Sequence, residues 1–175
     1  VVELGVGDGR IAVEAAAQGR HVIGVDLSPA MLALCRARAT DARVADRLTL
    51  LQGAFRSFAL PEPAALIALP YHSLGHLTSL HAKRAALRHL HTQLRPGGRF
   101  VFDDFLMTPD RLDQMRRVQP RPQYDPPDGR HAPLWVTSLV DQPAHTMRGL
   151  TWEGEPDDDG VPPRRRHLPP SLAWI

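Results

Sequence analysis

Cysteine is nearly absent from this sequence: Cys35 is the only one among the 175 residues. A single thiol excludes an internal disulfide and a cysteine zinc cluster, so no metal is expected and a reducing compartment fits. No apolar run approaches the ~20 residues that cross a bilayer, and no basic-then-apolar targeting pattern opens the chain. A soluble, cytoplasmic protein with no membrane partner is therefore expected. Charge of one sign is also lacking, since the formal net charge is +2. The one dense basic run, Arg164 to Arg166, follows closely on Asp157 to Asp159 and reads as a solvated loop rather than a nucleic-acid patch. There is no internal repeat, no initiator methionine and no signal of oligomeric state. The chain starts inside an apolar strand-like run and stops at Ile175 without a cap or polar tail, so it reads as a fragment lacking both ends, expected to fold poorly on its own.

What is present is enough apolar material for a core, 43% of residues, arranged as strand-like runs alternating with helix-like stretches. Strands are predicted at Val1–Leu4, His21–Asp26, Leu48–Leu51, Ala65–Leu69 and Arg99–Phe105. Between them a helix-compatible segment spans Ile11 to Gly19, and Ser28-Pro29 opens another helix as a cap followed by proline at the first turn. A longer helix spans about Thr78 to Leu94, with Leu80, Leu87, Leu90 and Leu94 towards a sheet and Lys83, Arg84 and Arg88 largely opposite. Arg95-Pro96-Gly97-Gly98 is expected to end it. The pattern predicts an α/β fold with a doubly wound, mostly parallel sheet covered on both faces. From Met107 prolines crowd in and helical periodicity is lost. Antiparallel strands are expected at Leu134–Val140 and His145–Glu153, joined through Asp141-Gln142-Pro143, with a further turn in the acidic Glu155–Gly160 loop. Residues 1–106 and 107–175 are thus read as two domains.

The densest signal lies at the start. Glu3 closes the first strand, and Gly5, Gly7 and Gly9 follow at alternate positions, as a strand running into a turn that hugs a ligand. A dinucleotide-binding loop, Gly-x-Gly-x-x-Gly, would need glycine where Arg10 stands, which disfavours a nicotinamide-dependent oxidoreductase. Asp26 ends the second strand, where a carboxylate can accept from two ribose hydroxyls. Glu-x-Gly-x-Gly-x-Gly together with Asp26 and Ser28-Pro29-Ala30-Met31-Leu32 resembles the class I, Rossmann-like S-adenosylmethionine-dependent methyltransferases of small-molecule type. The Pro96-Gly97-Gly98 turn before a fifth strand matches the same family.

The resemblance implies that Glu3 and the backbone of Gly5, Gly7 and Gly9 hold the methionine part of S-adenosylmethionine, that Asp26 holds the ribose, and that Leu27 lies against the adenine. Met31, one turn on, is grouped with these cofactor-binding residues. The third motif departs from pattern, because Ala54 stands where the family carries an acid that accepts from the adenine amine. The backbone N–H of Phe55 is left to serve the ring. After the fourth strand, Ala68-Leu69-Pro70-Tyr71 lacks the Asn or Asp that holds a base amine in nucleic-acid methyltransferases. The loop looks more like that of small-molecule enzymes, with His72 as candidate general base and Tyr71 as candidate lining of the acceptor pocket. His76 reads as a packing or capping group. The segment after the fifth strand is implied to cover the acceptor site. A degenerate, non-catalytic binder of the same cofactor stays open, motivated by Ala54.

Overall fold

In the computed structural model, described for residues 1–121, 134–154, 166–167 and 172–173, five strands lie in order β3-β2-β1-β4-β5, all parallel. They are β1 (Val2–Leu4), β2 (Val22–Asp26), β3 (Leu48–Gln52), β4 (Ala64–Leu69) and β5 (Leu94–Phe102). Helices α1 (Arg10–Ala17), α2 (Pro29–Asp41) and α3 (Leu80–Thr92) make the crossovers β1 to β2, β2 to β3 and β4 to β5. The order runs one way from β1 to β3 and the other way from β4 to β5. With right-handed crossovers this places α1 and α2 on one face and α3 on the other. It also opens a crevice between β1 and β4 at the carboxyl edge, where open α/β sheets bind ligands.

Small side chains let α1 and α2 approach the sheet. Ala12, Val13, Ala16, Leu32, Cys35 and Ala39 pack with Val6, Val22 and Val44 into one buried cluster. The starts of α2 and α3 follow from their sequences. The Ser28 hydroxyl accepts from the Met31 N–H at 3.3 Å with Pro29 in the first turn, and the Ser79 hydroxyl accepts from the Ala82 N–H at 3.1 Å.

Three sequence expectations for this part are corrected. The buried stripe of α3 is Lys83, Ala86 and Leu90, whereas Leu80 and Leu87 are exposed on its flank. Lys83 is 3% exposed rather than solvent-facing; burial lowers its pKa, and the nearby charge of Asp104 raises it. The helix ends at Thr92, before the Pro96-Gly97-Gly98 turn. That turn instead forms an irregularity inside β5, where the pairing shifts between Ala64↔Leu94 and Leu66↔Arg99. His76 does not cap α3; it is exposed, in a 3₁₀ turn over Ser73–His76.

Contacts divide the chain into two units, Val1–Leu74 with Ser79–Asp104, and Gly75–Thr78 with Phe105–Ile175. The second contains α4 (Pro109–Arg116), which the sequence reading missed, and an antiparallel sheet of β6 (Gln119–Arg121), β7 (Leu134–Asp141), β8 (Thr146–Glu153), β9 (Arg166–His167) and β10 (Leu172–Ala173). The expected pair of antiparallel strands is present, with Trp135 opposite Trp152. Thr108 caps α4 by accepting from the Arg111 N–H at 3.3 Å, and Pro109 and Asp110 fill its first turn. Inside this unit Leu112 and Met147 are buried among Phe105, Met107, Met115 and Val140. The predicted turn at 155–160 and the runs at 157–159 and 164–165 lie outside the described residues. Among the described residues no helix is long and apolar enough to cross a membrane.

Candidate functional site

The site is built where β1, β2, β3 and β4 end. From Leu4 the chain turns back beneath β2, with the N–H groups of Gly5 and Val6 donating to the Val25 carbonyl at 2.8 and 3.1 Å. Gly7 and Gly9 then adopt left-handed φ of 55° and 84°, which glycine tolerates without steric cost. Their surroundings differ. A Cβ on Gly9 would stand 2.5 Å from the Cys35 sulfur, so glycine there lets α1 and α2 close together. A Cβ on Gly7 would meet only the Gly5 carbonyl at 3.9 Å, so beside Gly7 the loop is open. At Gly5 a Cβ would press on the Ser73 hydroxyl at 3.3 Å and the Phe55 ring at 3.7 Å. The β3 and β4 loops therefore close on the glycine loop.

Asp26 fastens this arrangement. Its Oδ2 accepts the Gly7 N–H at 2.8 Å and its Oδ1 the Ser28 N–H at 2.9 Å. A carboxylate offers about four acceptor positions, so two remain for a ligand. Its backbone carbonyl accepts the Gly53 N–H at 3.0 Å, tying in the loop after β3. In that loop the Ala54 carbonyl accepts from Ser57 and Phe58, both at 3.0 Å, and the Ala54 side chain offers no polar atom. Leu27 and Met31 stand exposed beyond Asp26.

Glu3 is 4% exposed, and among the described residues its Oε2 has no hydrogen-bond partner. Burial is the main force pushing its pKa up, to about 7; the Ala12 N–H and Arg10 pull it down and Asp8 pushes it up. A buried carboxylate oxygen without a donor is a place for a donor supplied from outside the chain. Arg10 also has a place of its own. Its guanidinium lies 4.6 Å over the Tyr71 ring and 3.6 Å from Asp8, which links the glycine loop to the loop after β4.

That second loop is held in an uncommon backbone. Tyr71 and His72 are both left-handed, φ 59° and 53°. The Tyr71 N–H donates to Asp103 Oδ1 at 2.7 Å, and His72 Nδ1 lies 3.3 Å from Asp103 Oδ2 and 3.9 Å from Asp104 Oδ1. The Ser73 hydroxyl donates to the Pro70 carbonyl at 2.6 Å. Of the candidate residues, Gly5, Phe55 and the Tyr71–Ser73 loop are brought together, as are Gly7 and Asp26. The structure gives Leu27 and Met31 only their position. Sequence reasoning missed Arg10 as a positive contributor, Ser73, Asp103 and Asp104. The sequence does show two carboxylates directly after the apolar run of β5, at the edge where open α/β sheets bind ligands, but not which groups they face.

Residues 1–98 match a family model described as a methyltransferase domain. An uncharacterized methyltransferase of Geobacillus kaustophilus is 35% identical over 105 residues, 59% of this chain and 46% of that protein. The chain thus spans about half the length of that curated relative. Among solved structures, the CcbJ methyltransferase of Streptomyces caelestis superposes with a TM-score of 0.77 at 23% identity, covering 99% of this chain and 66% of that one. CalS10, an amino pentose methyltransferase from Micromonospora echinaspora solved with S-adenosylmethionine bound, gives 0.72 at 23% identity over 99% and 68%. These structural likenesses show a shared fold.

Proposed function

The chain belongs to the class I S-adenosylmethionine-dependent methyltransferase family, and from that premise we propose that it transfers a methyl group from this cofactor to a small-molecule acceptor. The observation that carries the reading is the Asp26 carboxylate fastened to Gly7 beside an open glycine loop. It leaves acceptor positions for ribose hydroxyls next to a backbone that a ligand can approach. The buried Oε2 of Glu3 fits the cationic methionine end. Phe55, against Gly5, places its backbone near the adenine, with Leu27 and Met31 on the outer side.

When bound, the cofactor supplies an electrophilic methyl group whose carbon–sulfur bond breaks with its electron pair on sulfur as the acceptor atom bonds to carbon. The protein's part is chiefly to align that atom and exclude water. Tyr71, exposed beside the glycine loop, lines the acceptor side. His72 takes the acceptor's proton where the acceptor must lose one.

A small molecule is favoured over a nucleic-acid base because Ala68-Leu69-Pro70-Tyr71 has no side chain to hold a base amine. The likeness to CalS10, an amino pentose methyltransferase, points the same way. The test is equilibrium binding of S-adenosylhomocysteine against NAD to the full-length protein, followed by turnover with amine, hydroxyl and thiol acceptors. Preference for NAD overturns the reading. A second reading, a degenerate binder, is favoured by Ala54; it predicts S-adenosylhomocysteine binding with no turnover on any acceptor.

A further inference from the structure

Three observations converge on the imidazole of His72. Its Nδ1 is buried and stands at ion-pair distance from two carboxylates, 3.3 Å from Asp103 Oδ2 and 3.9 Å from Asp104 Oδ1, without hydrogen-bond geometry to either, so their effect on the ring is electrostatic. The other oxygen of Asp103 accepts the Tyr71 N–H at 2.7 Å, so one carboxylate holds the backbone of Tyr71 and the side chain of His72. Both residues also keep left-handed φ, 59° and 53°, a strained conformation that persists only where the surroundings determine it. The two acids are not equivalent. Asp104 is close enough to the buried ammonium of Lys83, on α3, for its charge to favour the protonated amine, whereas Asp103 has Tyr71 and His72.

We infer that Asp103 is a positioning residue that fixes the His72 ring with its proton on Nδ1, so that Nε2 is the nitrogen that receives a proton. In a histidine the partner of one ring nitrogen decides which of the two carries the lone pair. A carboxylate at Nδ1 selects the Nδ1–H tautomer and offsets the charge of the imidazolium once it forms. The proton leaves the acceptor atom for Nε2, and the electron pair of the broken bond stays on that atom to form its bond to the methyl carbon. The catalytic consequence rests on the reading of His72 as base; the tautomer does not. The other charged groups nearby are Asp104, whose charge also acts on Lys83, and Arg10, which lies over the Tyr71 ring.

The test is nitrogen-15 NMR of the full-length protein labelled on histidine, with the His72 signals identified among nine histidines by their loss in His72→Gln. The wild type is expected to show a proton-bearing Nδ1 and a lone-pair Nε2. Asp103→Asn, whose amide oxygen still accepts from Tyr71, should shift the ring towards the opposite tautomer; Asp104→Asn should not. A wild-type ring protonated on Nε2, or no change in Asp103→Asn, overturns the assignment, and the wild-type spectrum decides even if a variant fails to fold. On a turned-over acceptor, Asp103→Asn should lower kcat about 10- to 100-fold with KM within about twofold, less than the ~100-fold or more expected for losing the base. If His72→Gln keeps its kcat, the base reading fails and the catalytic role of Asp103 with it, while the tautomer still reports whether Asp103 orients the ring.

Discussion

Gly7 and Asp26 are joined by a hydrogen bond of 2.8 Å from backbone N–H to Oδ2, although 19 residues separate them. The carboxylate at the end of β2 therefore shapes the loop after β1. Asp26→Ala should weaken S-adenosylhomocysteine binding by about 1.5–3 kcal/mol, as a lost pair of charge-assisted hydrogen bonds does, and should also lower the melting temperature of the unliganded protein. Calorimetry showing wild-type affinity in that variant would mean that the ribose lies elsewhere.

Gly9 and Cys35 make a second such pair, by packing alone. Gly9→Ala brings a Cβ within 2.5 Å of the sulfur at a φ of 84°. The expected cost is about 2–4 kcal/mol from overpacking and left-handed strain combined. Cys35→Ala removes the clashing atom but not the strain, so the double variant should lose less stability than the two single losses added together. Denaturant unfolding of the four proteins measures the coupling, and strict additivity would show that the clash is relieved by movement elsewhere.

The buried Glu3 makes stability depend on pH in the direction opposite to a paired carboxylate. Its pKa rises from 4.5 to about 7 on folding, so the folded state binds the extra proton between those values. The contribution is fully present below about pH 4.5 and is lost as pH rises towards about 7, by roughly 3 kcal/mol. Glu3→Gln should abolish that slope. Unfolding free energies of wild type and variant measured across the window check it; parallel curves would place the titration on another group.

The parts of this molecule that were legible in sequence are those governed by local rules. Gly5, Gly7, Gly9, Asp26 and Ser28-Pro29 each act within a few residues of chain, and their pattern predicts the strand–loop–helix elements that the structure contains. What depends on the far side of the sheet was not legible. Lys83 reads as a surface charge from its helix alone, yet Asp104, across a strand connection, gives it a partner and a reason to be buried. Asp103 looks like the end of a strand until the β4 loop is folded over it. The helix α4 is hard to read for a different reason: crowded prolines ordinarily signal irregular chain. Thr108-Pro109-Asp110 is instead a helix start, with the proline where its missing N–H costs nothing.

Ala54 gives the sharpest test of how the adenine is held. The loop that carries it is already fixed, through Gly53 to the Asp26 carbonyl and through the two N–H groups that the Ala54 carbonyl accepts. A new side chain there changes chemistry more than shape. A carboxylate at this position supplies an acceptor for the adenine amine, and a hydrogen bond to a charged group contributes about 1.5–3 kcal/mol when the donor is otherwise buried. Solvent access to this loop reduces that, so Ala54→Asp is expected to tighten S-adenosylhomocysteine binding by roughly 1 kcal/mol, with little change in melting temperature without ligand. S-inosylhomocysteine, which lacks the amine, should gain nothing. Equal gains for both ligands would place the new carboxylate away from the amine, and a large loss of affinity would mean that the loop is shaped differently and that its match to the family's third motif fails.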